Sequence, residues 1–534
     1  MTLIVGLAEG VEQIQQFDFI ALTDDLCANC ASCLCSQLYL SGDTQIDHAA
    51  VMSNAINSSS SVSEPLYQKL ANLLEGMIQS QSLRPGDRVP SVRHFSRQQR
   101  VSVPTALNAF ATLETRGLIE ARPKSGFYVR ARQADLVREP KGPLTPVKVT
   151  DFANADPFDS LLADLSNSKL VALGAAVPNA SLLPAEKLAR ILGVIARRHP
   201  ALGIGYDMPP GSETLRRELA RRSLEWGCSL RPDDFIVTNG GTEAIALALR
   251  ATCKPGDTVA VESPTYYGLV GMLRELGLNA LPIPCDSGQG MNPNALQSAL
   301  RRARISACAL IPNFNNPTGS LMPDGNKKRI LELLAAREVP IIEDDIYGDL
   351  NHEGIRPRCL KTFDRDGTVL LCSSFSKTLA PGYRVGYIAG GRWHRRVMSL
   401  KKHSSLAGAT LPALAIAEFL RNGGYNRYLR SLRHSYRHQV AQMREAVVET
   451  FPKGIGLSRP QGGFILWCEL PAKVSSMELV KLARAAGISI APGPLFSPQG
   501  GHQNFIRINC GHPWNARIER SVGILGHLAR QLAL

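Results

Sequence analysis

Three short apolar runs, each ending on polar residues or glycine, constrain the fold of this chain more than any other feature. Ile236-Val237 leads into Thr238-Asn239-Gly240-Gly241-Thr242-Glu243-Ala244, which has the form strand, glycine turn, helix. Ala309-Leu310-Ile311 precedes Asn313-Phe314-Asn315-Asn316-Pro317-Thr318-Gly319, and Val339-Pro340-Ile341-Ile342 ends in Glu343-Asp344-Asp345. Such runs read as short buried strands, and open α/β sheets place ligand-binding groups beyond the carboxyl ends of their strands. The C-terminal part is therefore expected to be α/β, with a site where these runs stop. Glycines at 240 and 241 let backbone amides approach an anion at a helix N-terminus, where the dipole favours negative charge.

Further on stands Ser373-Ser374-Phe375-Ser376-Lys377-Thr378-Leu379-Ala380-Pro381-Gly382-Tyr383-Arg384. A lysine amine forms a Schiff base with an aldehyde, and serines with an arginine can hold a phosphate. Pyridoxal 5'-phosphate carries both groups. An isolated Ser-Lys pair is a solvated surface feature, but the whole run resembles the Schiff-base segment S-x-S-K-x-x-A-P-G-x-R of the fold-type I aminotransferases. The resemblance extends over residues 170–534 and implies roles for particular residues. Lys377 would hold the cofactor and carry protons. Asp344 would face the pyridine nitrogen, with Asp345 the competing choice, and Tyr347 and Asn316 would bond the ring hydroxyl. Tyr266, in Pro264-Thr265-Tyr266, would stack on the ring, while Gly241, Thr242, Ser374 and Arg384 would take the phosphate. Tyr206 resembles the tyrosine that reaches the neighbouring subunit's phosphate, which implies a homodimer. Arg507, in Phe505-Ile506-Arg507-Ile508, would grip a ligand carboxylate, and the loop Ala175-Ala176-Val177-Pro178-Asn179 would set ligand choice.

Residues 64–132 carry a different pattern. Leu66, Leu70, Leu73, Leu74, Met77 and Ile78 recur at helical spacing and predict one buried face. Leu83-Arg84-Pro85-Gly86-Asp87 is a turn. Pro90-Ser91 opens a second helix, with Val92 and Phe95 inward. Ser102 is a natural N-cap for a third, with Pro104 in its first turn and Ala106, Phe110 and Leu113 as its apolar stripe. Leu118 to Val129 reads as two short strands around a basic turn. Three helices and a hairpin make a winged helix-turn-helix. Eleven Lys/Arg against five Asp/Glu in this stretch suit a phosphate backbone.

The order L-x-P-G-x-x-x-P-S-x-R, V-S-x-x-T, R-G-L-I and S-G-F-Y-V resembles the GntR-type DNA-binding domain. That implies contacts to double-stranded DNA from Ser91, Arg93, Ser102 and Thr105, and from Lys124 and Gly126 at the wing tip. Val103 stands where the family often has arginine, and Gln99-Arg100 where Leu-Gly is usual, so base-reading residues do not transfer. A GntR-like head on an aminotransferase-like body resembles the MocR regulators. The expected division is a disordered extension over 1–63, the head over 64–132, a proline-rich linker over 133–168 that includes Glu139-Pro140-Lys141-Gly142-Pro143, and the body over 169–534.

A chain of 534 residues is too long for one compact domain, and no apolar run approaches the ~20 residues of a membrane span. Twelve cysteines without secreted-type spacing suggest reduced thiols in a cytoplasm. Residues 1–63 hold seven Asp/Glu and no Lys or Arg. Their Cys27, Cys30, Cys33 and Cys35 lack two separated C-x-x-C knuckles, so no metal site is expected. The function implied is a transcription regulator that senses a small amino compound by aldimine exchange at Lys377. The alternative is a competent aminotransferase with an appended DNA-binding head.

Overall fold

The computed structural model describes residues 65–534 except 81, 123–124, 131–133, 135–136, 142–160, 162, 165–166 and 287. The N-terminal extension with its cysteines, most of the linker, and Lys124 lie outside the described residues. The chain divides into two units at Lys69/Leu70; of the first, only residues 65–69, which open a helix, are described.

Residues 66–129 form helices α1 (Leu66–Gln79), α2 (Val92–Gln98) and α3 (Val103–Thr115), then strands β1 (Ile119–Arg122) and β2 (Gly126–Val129). The strands pair antiparallel with Ile119 opposite Val129. Phe110 centres this small core, meeting Phe95 and Phe127 edge-on at 5.6 and 5.1 Å, with Ala106 and Leu113 fully buried beside it. The expected face of α1 is corrected: Leu70 and Leu74 are buried together with Ala71, but Leu66, Leu73 and Met77 are exposed. At 3.6 residues per turn these last three share one stripe, and Ala71 and Leu74 lie well round from it. A core this small covers only the second stripe.

The body is built on an eight-stranded sheet ordered β4-β11-β10-β9-β8-β5-β6-β7. In chain order β3 (Val171–Ala172) comes first, followed by β4 (Phe235–Thr238), β5 (Thr258–Ser263), β6 (Asn279–Asp286), β7 (Gly290–Met291), β8 (Ala307–Leu310), β9 (Ile341–Asp344), β10 (Val369–Ser374) and β11 (Gly386–Ala389). Strands β10, β9, β8, β5 and β6 run parallel, whereas β11 is antiparallel to both its neighbours. Val259, Ala260 and Val261 are all fully buried. A continuous apolar run of that kind marks a strand covered on both faces.

A second, antiparallel sheet joins β12 (Gly456–Leu457), β13 (Ile465–Glu469), β16 (Phe505–Asn509) and β15 (Ala491–Pro492). The remaining strand, β14 (Ile488–Ser489), pairs in parallel with β3. Among the described residues no helix is long and apolar enough to cross a membrane.

Candidate functional site

Parallel pairing gathers the candidate residues. Cys372 on β10 pairs with Asp344 on β9, and Glu343 with Leu310 on β8, so all three strands end at one edge. There a cavity of about 310 Å³ is lined by Tyr266, Asn316, Asp344, Tyr347, Ser374 and Lys377, with Gly241, Thr242 and Arg384. Ala175, Ala176 and Val177 also line it. The Nζ of Lys377 donates to the Ala176 carbonyl at 2.7 Å. Burial, with the charge of Arg507 adding to it and Asp344 opposing, pulls the Lys377 amine down to about 8.

The two neighbouring aspartates differ in what they face. Asp345 accepts from Asn313 Nδ2 at 2.8 Å and forms a buried ion pair with Arg356. Asp344 lines the cavity, and burial pushes its carboxyl up to about 7 against the opposing bond from the Ile346 N–H. Burial likewise raises the Tyr266 and Tyr347 hydroxyls above the ordinary tyrosine range.

At the other end of the cavity, Gly240 turns with φ 85° into the helix Gly241–Thr252. A Cβ at Gly240 would meet the flexible end of the Arg384 side chain, and the left-handed φ is what favours glycine there. Arg384, itself left-handed at φ 51°, donates to the Asn239 carbonyl at 3.2 Å and to Ser376 Oγ at 3.5 Å. Two residues that the sequence did not disclose brace this turn. Glu243 accepts from the Asn239 N–H at 2.5 Å and from Lys401 Nζ at 3.0 Å. Lys401, nearly inaccessible, is remote in sequence, and no motif marks it.

Arg507 is fully buried on β16. Its Nη1 donates to Asn316 Oδ1 at 2.9 Å and its Nη2 to the Gly174 carbonyl, while its Nε has no partner among the described residues, and Arg507 itself does not line the cavity. The guanidinium lies 5.0 and 5.4 Å from the Phe496 and Tyr267 ring centres. Tyr267 also lines the cavity and was not singled out in the sequence; its neighbour Tyr266 was the only signal. Tyr206 is 79% exposed and does not line the cavity of its own chain.

In the head, Ser91 caps α2 by accepting from the His94 N–H at 3.2 Å. Ser102 caps α3, accepting from the Thr105 N–H at 3.2 Å and lying 2.7 Å from Thr105 Oγ1. These bonds fix the start of α3 and leave Val103 and Leu107 46% and 50% exposed on its surface. Arg93 is exposed, and Gly126 begins β2 at φ 105°.

A family model for aminotransferases of class I and II matches residues 204–522, and one for bacterial regulatory proteins of the gntR family matches residues 66–129. The HTH-type transcriptional regulator YjiR of Escherichia coli K12 is 38% identical over 86% of this chain and 98% of its own length. The chain belongs to the MocR-type regulators of the GntR family. YdcR of the same organism, also an HTH-type transcriptional regulator, is 35% identical over 87% of this MocR-type chain and 99% of its own. Among solved structures, the α-aminoadipate aminotransferase LysN of Thermus thermophilus, complexed with N-(5'-phosphopyridoxyl)-L-leucine, matches with a TM-score of 0.66 at 28% identity. It covers 71% of this chain and 96% of that one.

The MocR-type body has a donor set that fits pyridoxal 5'-phosphate. It offers an amine for the aldehyde, a carboxylate for the ring nitrogen, and hydroxyls, an arginine and a helix N-terminus for the phosphate. Gly240 turns at positive φ into that helix beneath Arg384, and Arg507 Nε has no hydrogen-bond partner among the described residues; both observations are compatible with an anionic ligand.

Proposed function

We propose that this MocR-type protein is a cytoplasmic, homodimeric transcription regulator that binds DNA through its head and reads a small amino compound in its pyridoxal 5'-phosphate-binding body. The observation that carries this reading is the union in one chain of a capped α3 with one exposed face and a cavity collecting Lys377, Asp344 and Arg384.

When bound, the cofactor supplies an aldehyde for amines and an electron-accepting ring. Lys377 is the residue for the aldehyde, Asp344 for the ring nitrogen, Tyr347 and Asn316 for the ring hydroxyl, and Tyr266 for the ring face. Thr242, Ser374, Arg384 and the amide of Gly241 take the phosphate. With its amine at about 8, Lys377 is partly neutral near pH 7, the form that adds to carbonyls and accepts protons. Arg507 is the residue for a ligand carboxylate, which it would grip bidentately by giving up its bonds to Asn316 and the Gly174 carbonyl.

The segment 174–177 gives these two cations a shared consequence. Arg507 holds the Gly174 carbonyl and Lys377 the Ala176 carbonyl. Lys377 would exchange its tie for the cofactor's aldehyde, and Arg507 its own for a ligand carboxylate, so the two together would loosen this segment, which continues from β3 (Val171–Ala172). A shift of the DNA-binding state from 1:99 to 99:1 needs about 5.5 kcal/mol of preference. A bidentate charge-assisted pair at Arg507 contributes toward that preference. The homodimer is supported by an apolar run left open in the single chain, with Ile204 at 92%, Tyr206 at 79% and Met208 at 50% exposure. A second copy covering it would bring Tyr206 to the partner's phosphate site.

The test is binding of the full-length protein to DNA upstream of its own gene across a salt series, comparing wild type with Lys377→Ala. Tight, site-specific and salt-sensitive binding that changes in the variant or on adding amines is expected. Binding no tighter than to random DNA would overturn the regulator reading. Lys377, poised near neutrality, favours one second reading, a competent aminotransferase. Multiple turnovers with an amino-acid donor, without specific DNA binding, would put it first.

A further inference from the structure

Two thiols outside the cavity are placed to react with each other. Cys228 lies in the turn that follows the helix Glu213–Ser223, and Cys359 caps the short turn Leu360–Phe363. Their sulfurs are 3.2 Å apart although 131 residues separate them in sequence. Thr362 Oγ1 stands 3.5 Å from Cys359 Sγ and 3.7 Å from Cys228 Sγ. The backbones are already stapled together: the Cys359 N–H and the Thr362 hydroxyl both donate to the Trp226 carbonyl, at 3.3 and 2.9 Å. A disulfide has S–S near 2.05 Å, so the sulfurs need close by only about 1.2 Å.

We propose that Cys228 and Cys359 are a redox-active dithiol that a peroxide converts reversibly to a disulfide. The two sulfurs have unequal parts. Cys228 is the more accessible, at 6% exposure against 0% for Cys359. A hydrogen bond from the Cys359 thiol favours the Cys228 thiolate, and the same contact together with burial disfavours that of Cys359. The Cys228 thiolate therefore attacks one peroxide oxygen, forming an S–O bond as the O–O bond breaks and hydroxide leaves. Cys359 then attacks the sulfenic sulfur, its proton goes to the departing hydroxyl, and water is released. In sum, two thiols give up two electrons and two protons, and hydrogen peroxide is reduced to two waters.

Cys372 and Cys510 make a contrast, since each sits against a strand carbonyl at 4.0 or 3.9 Å with burial pushing its thiol up. The bridged segment also carries Arg356, whose guanidinium holds Asp345 beside the cavity's Asp344. Oxidation would thus lock the support of the cavity floor to the turn around Trp226.

Full-length protein carrying its cofactor is treated with hydrogen peroxide, quenched in acid, unfolded, alkylated and mapped by mass spectrometry. The expected product is a linked pair of peptides containing Cys228 and Cys359, two hydrogens lighter than their sum and restored by a dithiol reductant. In Cys359→Ser the same treatment should leave Cys228 as a sulfenic acid trapped by a cyclic dione, and in Cys228→Ser Cys359 should stay a thiol. Equal alkylation of both cysteines before and after peroxide overturns the proposal. So does oxidation of Cys228 in the wild type without linkage to Cys359. The mapping is read first on the wild type, so a poorly folding variant leaves the test intact.

Discussion

Replacing Lys377 by methionine in the cofactor-free protein should stabilise the fold most at neutral pH and progressively less as pH rises. The folded amine titrates at about 8 against an ordinary 10.5, so between those values the unfolded chain binds the proton more tightly. The fold therefore carries a penalty that is full below about pH 8 and vanishes above 10.5. At 1.36 kcal/mol per unit, the penalty is about 3 kcal/mol at pH 7 and about 1.5 at pH 9.5 by linkage. Wild type should gain ~2 kcal/mol relative to Lys377→Met across that range, an upper bound because the open cavity admits screening water.

Losing the bond to the Ala176 carbonyl shifts the variant by an amount largely independent of pH. Groups not coupled to Lys377 cancel in the difference. The Asp344 carboxyl, which Lys377 holds down, rises in the variant and penalises it further as pH rises, adding to the same trend. Urea midpoints read by tryptophan fluorescence at pH 7, 8 and 9.5 measure it, since Trp226, Trp393, Trp467 and Trp514 are all in the body. A difference flat with pH, or one that grows in favour of the variant, would refute the reasoning.

Arg507→Gln should weaken binding of an amino acid about 30- to 100-fold, the worth of a lost charge-assisted pair, in a spectral titration of cofactor-loaded protein. Because the substitution also frees the Gly174 carbonyl, its affinity for DNA without ligand should move in the direction that ligand moves the wild type. Arg93→Ala should lower DNA affinity alike for specific and random sequences and reduce the slope of log K against log salt by about 0.9, the share of one phosphate contact. Phe110→Ala, at the centre of the head's three-ring core, should cost about 3–5 kcal/mol. Binding to DNA should collapse while cofactor absorbance stays, as measured by anisotropy and spectrophotometry on one sample.

Much of the site was legible because its chemistry is local in the chain. Ser374, Lys377 and Arg384 lie within eleven residues, and the glycines at 240 and 241 announce a turn into a helix wherever they occur. The caps at Ser91 and Ser102 were legible for the same reason, since an N-cap bonds its own helix three residues on. The choice between Asp344 and Asp345 was not local. It depends on Arg356 and Asn313, which engage Asp345 and leave its neighbour to the cavity. Periodicity misled on α1, because it counts apolar positions without knowing how wide a partner covers them. Leu66, Leu73 and Met77 are exposed for that reason.

The sequence by itself determined the two-part plan, the α/β body and the kinds of group at its site, because strand, turn and cap signals act over a few residues. Only the tertiary structure decided which groups meet. It set Lys377 and Arg507 on neighbouring carbonyls of one segment, braced the glycine turn with Lys401, and brought Cys228 within 3.2 Å of Cys359. Contacts between residues far apart in the chain arise from strand order and packing. Burial then moved the Lys377 and Asp344 proton affinities toward neutrality, because a charge loses its water only when the rest of the fold closes around it.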